Sequence, residues 1–183
     1  DLAVFAGVGG ENIAPTGSTS CTYGGPSMTE AWDIVFGTTF INAGYRLAGQ
    51  ATGVQTVTST IADTTPGTHW LGVISMTGVD ATTPVGTPVT ASGSVSPATV
   101  TVGSIGADDL VCDNLVANFG TLTIGADQTQ RYTQSQLGNE FRGSTQLGTA
   151  GGVMSWTAPG EGNWGTGAIA FKRSGDPLMG DFS

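Results

Sequence analysis

Hydrolysis by a nucleophile needs a Ser or Cys, a base and a group that orients the base. This chain has one histidine, His69, so any imidazole-based triad must be built on it. His69 sits beside Trp70 in "THWLGVISMTGV" (68–79), a stretch that reads as a strand, and no Gly-x-Ser-x-Gly elbow occurs anywhere. An ordinary strand residue is the simpler reading, and no catalytic residue is assigned. Paired carboxylates could hydrolyse glycosides, and Glu11, Glu30, Glu140, Glu161 and the aspartates are available. Acids scattered over loops are what any acidic protein carries, and nothing in their spacing pairs two of them.

A calcium site would draw on Asp, Asn and carbonyl oxygens, but the Asp-x-Asp-x-Asp-Gly pattern is absent. The aspartates of "GADDL" (106–110) and "GADQT" (125–129) read as turn caps. Cys21 and Cys112 are too far apart for a zinc motif. They read as two small buried hydrophobes, with a single disulfide as the alternative. No metal and no cofactor is expected. Sugar binding would use exposed aromatics. Trp32, Trp70 and Trp156 lie in alternating stretches where core packing is the default. Trp164, after the loop "PGEGN", is the one placed to be partly exposed. The turn "GVDATTPVG" (78–86) is read as backbone chemistry: Asp80 accepts from the N–H groups near Thr82 and Thr83, and Pro84 fixes the exit.

Charge narrows the partners. The net charge is −9, with Lys172 as the only lysine beside four arginines. Nucleic acid binding needs clustered Lys and Arg, and docking on an anionic membrane surface needs the same. Neither partner is expected. No apolar run approaches the ~20 residues needed to cross a bilayer. No signal-peptide pattern is visible, and the opening "DLAVFAGVGG" reads as a strand.

The elements that must position these residues are short strands. Gly, Pro, Asn and Asp punctuate the chain at brief intervals, and no stretch places apolar residues at helical spacing over three turns. Strands are expected near 2–8, 20–24, 27–36, 40–48, 53–62, 68–79, 87–93, 97–105, 109–118, 128–135, 139–147, 152–158 and 164–173. "FINAGYRLAG" sends Ile41, Ala43, Tyr45 and Leu47 one way and Asn42, Gly44 and Arg46 the other, a strand with one wet face. "THWLGVISMTGV" is apolar on both faces and is expected at the centre of a sheet. The fold class is all-β: a two-sheet antiparallel β-sandwich of jelly-roll type, with an immunoglobulin-like sandwich as the alternative. Residues 1–173 are expected to form one domain and 174–183 a tail or arm, in which Leu178, Met179 and Phe182 stand among turn formers.

Five motifs follow one another in order: "SCTYGGPSMTEAW", "GVDATTPVG", "DDLVCDNLVA", "DQTQRY" and "MSWTAPGEGNWGTGAIAFK". Together they resemble a β-sandwich module of phage virion structural proteins and bacterial extracellular proteins. Typical members carry a V-T-Y-G-G turn, an S-G-V-D-x-x-T-P turn and a closing W-x-x-G-x-x-A-x-K strand, matched here by Cys21–Gly25, Thr77–Pro84 and Trp164–Lys172. The resemblance spans roughly residues 2–173 and implies a jelly-roll-like domain without catalytic activity. Two departures stand out: the strand that usually precedes "LAVFAG" is missing or supplied by a neighbour, and the tail 174–183 is extra.

The expected function is therefore a non-enzymatic virion structural protein, a capsid decoration (cement) or fibre component on the outer surface of a phage particle. Its partners would be other virion proteins and copies of itself, reached through Leu178, Met179 and Phe182. The alternative is an extracellular carbohydrate-binding or adhesive module, with a glycan as ligand.

Overall fold

The computed structural model describes residues 2–11, 19–50, 53–62 and 67–175. The chain runs through β1 (Leu2–Glu11), β2 (Thr19–Tyr23), β3 (Thr29–Phe36), β4 (Phe40–Gln50), β5 (Val57–Ile61), β6 (Thr68–Thr77), β7 (Val89–Gly93), β8 (Ala98–Thr101), β9 (Leu110–Ala117), β10 (Thr123–Ile124), β11 (Thr129–Gln136), β12 (Asn139–Leu147), β13 (Val153–Thr157) and β14 (Trp164–Phe171). A single 3-10 turn at Gly148–Ala150 is the only helical element among the described residues. Every strand pairing is antiparallel.

Two sheets, β3-β4-β1-β6 and β11-β12-β9-β14-β7, form the sandwich. Each carries a smaller sheet on its outer side: β2-β5 on the first and β10-β13-β8 on the second. The molecule thus has three apolar layers. Leu2, Val4, Ala6 and Val8 of β1 meet Cys21 and Tyr23 on one side of the first sheet. Ala3 and Phe5 meet Cys112, Ile169 and Phe171 between the two main sheets. Val111 and Leu115 of β9 face Met154 and Trp156 on the far side. This layering explains why β1, β9 and β14 are buried along almost their whole length: alternate side chains enter different layers, and both layers are dry.

Two expectations about single strands change. β6 lies at the edge of its sheet, not its centre. Trp70 and Ile74 are buried in the sandwich, while Val73 on the other face is 40% exposed, because β2-β5 covers that face only in part. The supposed wet face of β4 is dry. Asn42 is fully buried and Gly44 lies under the Trp32 ring, because this face looks into the gap between the main sheets.

That gap is organised by glycine. In the first sheet Trp32 pairs with Gly44, Gly44 with Gly7, and Gly7 with Gly72, one row across four strands. In the second sheet Tyr132 pairs with Gly143, Gly143 with Asn114, and Asn114 with Gly167. Each row carries one aromatic on an edge strand, and each ring lies over glycines of both sheets. A Cβ at Gly7, Gly72 or Gly143 would run into Tyr132, and one at Gly44 or Gly167 would run into Trp32. Two asparagines then tie the sheets together. Asn42 accepts from Trp32 Nε1 at 2.8 Å and donates to the carbonyls of Asn114 (3.2 Å) and Gly165 (3.0 Å). Asn114 returns a bond to the Ala43 carbonyl at 3.0 Å.

Candidate functional site

The residues singled out for chemistry are mostly occupied in holding strands. Asp80 Oδ1 accepts from Thr82 N at 2.8 Å and Thr83 N at 2.7 Å, so the side chain closes an Asx turn. These two bonds, with help from nearby Lys172, hold its carboxyl below the usual range. The turn rides on the end of β14: Asp80 N donates to Lys172 O, Lys172 N to Pro84 O and Gly86 N to Ala170 O, each at 2.9 Å. The "GADDL" turn is likewise closed by an aspartate, with Gly106 N donating to Asp109 Oδ2 at 2.7 Å. In "GADQT" the left-handed Asp127 sets the turn, and Gln128 bridges Ser144 and Ser155 N.

His69 has a partner that the sequence did not reveal. Its Nε2 lies 2.9 Å from Ser59 Oγ of β5, which couples the outer β2-β5 sheet to β6. Partial burial lowers its pKa. A Ser–His pair is two thirds of a hydrolytic triad, but among the described residues no carboxylate is bonded to the ring. Among the described residues the pair therefore lacks the group that would orient an imidazole base.

Asp113 was also missed. It is fully buried in β9, where its Oδ1 accepts from Ser144 N and Oγ, both at 2.7 Å, and its Oδ2 from Trp156 Nε1 at 2.8 Å. Burial pushes its carboxyl up to about 6, against those three bonds. The available signal was an acid flanked by Val111, Cys112, Leu115 and Val116, a polar residue with nowhere wet to go. Glu140 is similarly engaged, by Ser135 Oγ and by Arg142 in a 2.8 Å ion pair. Among the described residues no group of three or more His, Cys, Asp and Glu side chains is placed to hold a metal ion.

Trp32, Trp70, Trp156 and Trp164 are all buried. Trp164, expected to be partly exposed, is 7% exposed; its Nε1 donates to Val95 O at 2.8 Å and its ring lies against Gly93. Cys21 and Cys112 are free thiols in different layers, and burial raises both pKa values, Cys21 to about 11.

Concave surfaces lie over β11 and β12, at about 630 Å³, and at the end of β14. Where β14 ends, a groove of about 430 Å³ opens between the two main sheets, with Met76, Val79, Leu110, Leu147 and Phe171 in its walls and Lys172 and Arg173 at its rim. The chain leaves along it, with Ser174 N donating to Gly78 O at 2.8 Å. Leu178, Met179 and Phe182, the expected partner contacts, lie outside the described residues. Comparison with protein-family models, with curated proteins and with solved structures returns no match.

Proposed function

We propose that this chain is a non-enzymatic structural protein of a virus particle, a capsid decoration or fibre component that sits on the outer surface and contacts other virion proteins and copies of itself. One observation carries the reading: four of the five motifs on which the resemblance rests serve the frame. "GVDATTPVG" is an Asx turn laced to β14, "DDLVCDNLVA" supplies the central β9 with its bonded Asp113, "DQTQRY" places Tyr132 on the glycine row, and "NWGTGAIAFK" is the strand whose glycines receive Phe36 and Trp32. Residues spent in this way leave three apolar layers and, among the described residues, no group of three or more His, Cys, Asp and Glu placed to hold a metal ion. The acidic net charge of −9 suits a surface turned away from DNA. The adhesive alternative called for exposed aromatics, and the four tryptophans offer no open ring face. Immunogold labelling of purified particles with an antibody to this chain tests the proposal. Gold on the outer surface supports it, and unlabelled particles alongside labelled free protein refute it.

A further inference from the structure

We propose that the groove at the end of β14 is the docking site for the chain's own segment 176–183. The walls are apolar, and at about 430 Å³ the groove has the volume of a small ligand site, a class of roughly 300–1,000 Å³. Leu147 in its wall is 55% exposed, an open apolar surface that a chain passing over it would cover. The segment "DPLMGDFS" supplies matching chemistry: Leu178, Met179 and Phe182 for the walls, and Asp176 and Asp181 for Lys172 and, in competition with the Asp108 that already lies 3.6 Å from it, for Arg173. These two rim cations are two of only five in the chain.

Position favours the chain's own segment over that of a second copy. The bond from Ser174 N to Gly78 O fixes the exit point on a residue that lines the groove. From Ser174 to Leu178 the chain reaches at most ~14 Å, so the apolar side chains are delivered close to the walls. A tether this short gives an effective concentration in the millimolar range, and docking then needs no second molecule. Docked, the segment shields its apolar side chains in the free protein. If the virion reading holds, on which this last step rests, a particle must draw the segment out of the groove in order to use it.

A cysteine-pair experiment tests docking without any particle. The native Cys21 and Cys112 are buried and stay silent. The full chain carrying Thr77→Cys at the groove rim together with Gly180→Cys is oxidised mildly at low protein concentration. A control pairs Gly180→Cys with Leu137→Cys, in the β11–β12 turn at the other end of those strands from Leu147. Thermal melts of the reduced proteins establish that both are folded. The expected result is an intramolecular disulfide in the test pair that forms about tenfold or more faster than in the control, and slows when Lys172 and Arg173 are replaced by Glu. Disulfide-linked dimers of the test pair would overturn the proposal in favour of exchange between copies. Equal, slow linking in both pairs would overturn docking altogether. Neither result depends on whether the protein binds particles.

Discussion

Tyr132 and Asp113 show how much of this fold rests on single side chains. Tyr132 fills the space over Gly7, Gly72 and Gly143, yet its buried hydroxyl has no hydrogen-bond partner. An unsatisfied buried donor costs about 1–3 kcal/mol. Tyr132→Phe keeps the ring and removes that group, so it should raise stability by about 1 kcal/mol in urea unfolding. Gly143→Ala should do the reverse, lowering it by about 1–3 kcal/mol through overpacking. Asp113 makes a pH prediction. Its folded-state pKa of about 6 lies above the ordinary 3.8, so the folded state prefers the protonated acid. The stabilising effect of that acid is fully present below the ordinary pKa and is lost as pH rises from about 4 to about 6. A displacement of that size corresponds to about 3 kcal/mol. Asp80 works in the opposite sense: its pKa is depressed, so its contribution is present above the ordinary value and lost below it. In melts between pH 4 and 7 Asp113 therefore contributes a fall in stability with rising pH, set against the rise from His69, whose pKa burial lowers, and Asp113→Asn should remove the falling component, turning the slope upward relative to the wild type.

At the scale of elements, alternation located the strands well, because each has at least one dry face and turns rich in Gly, Pro and Asp bound it. It could not say which face was dry. Asn42 reads as polar and therefore wet, but it is buried because Trp32 Nε1 and two carbonyls satisfy its amide. The glycines of "GVGGE" look like the end of a strand. β1 continues through them to Glu11 because the rings of Tyr132 and Phe141 require bare backbone there. Centrality was misjudged for β6, since its second apolar face is met by the β2-β5 pair, an outer layer invisible to a local pattern. The Ser59–His69 bond belongs to this scale, as it joins β5 to β6. If it is only a fastener, Ser59→Ala and His69→Ala should each lower the melting temperature and the double variant should do little more. Hydrolysis of an activated ester by the wild type, lost in either variant without a change in melting, would instead make the pair a working nucleophile and base.

For the whole molecule, an antiparallel β-sandwich follows from the sequence pattern, but the two outer sheets, and what the body attaches to, do not. The groove beside β14 is formed by residues far apart in sequence, Met76 to Ser174, and no local motif announces it. Residues 176–183 lie outside the described residues, and Leu178, Met179 and Phe182 are the large apolar side chains their sequence offers to a partner. Burying each against a partner contributes roughly 1.5–3 kcal/mol, less the ordering of the segment, and many copies on one particle would multiply the effect. The most direct test is to fractionate a lysate of producing cells on a density gradient and probe every fraction for full-length chain and for a chain ending at Gly175. The full-length chain should band with virus particles, while the shortened chain melts as a folded protein yet remains in the particle-free fractions. Full-length chain found only away from particles would contradict the virion assignment, and shortened chain banding equally well would contradict the role given to the tail.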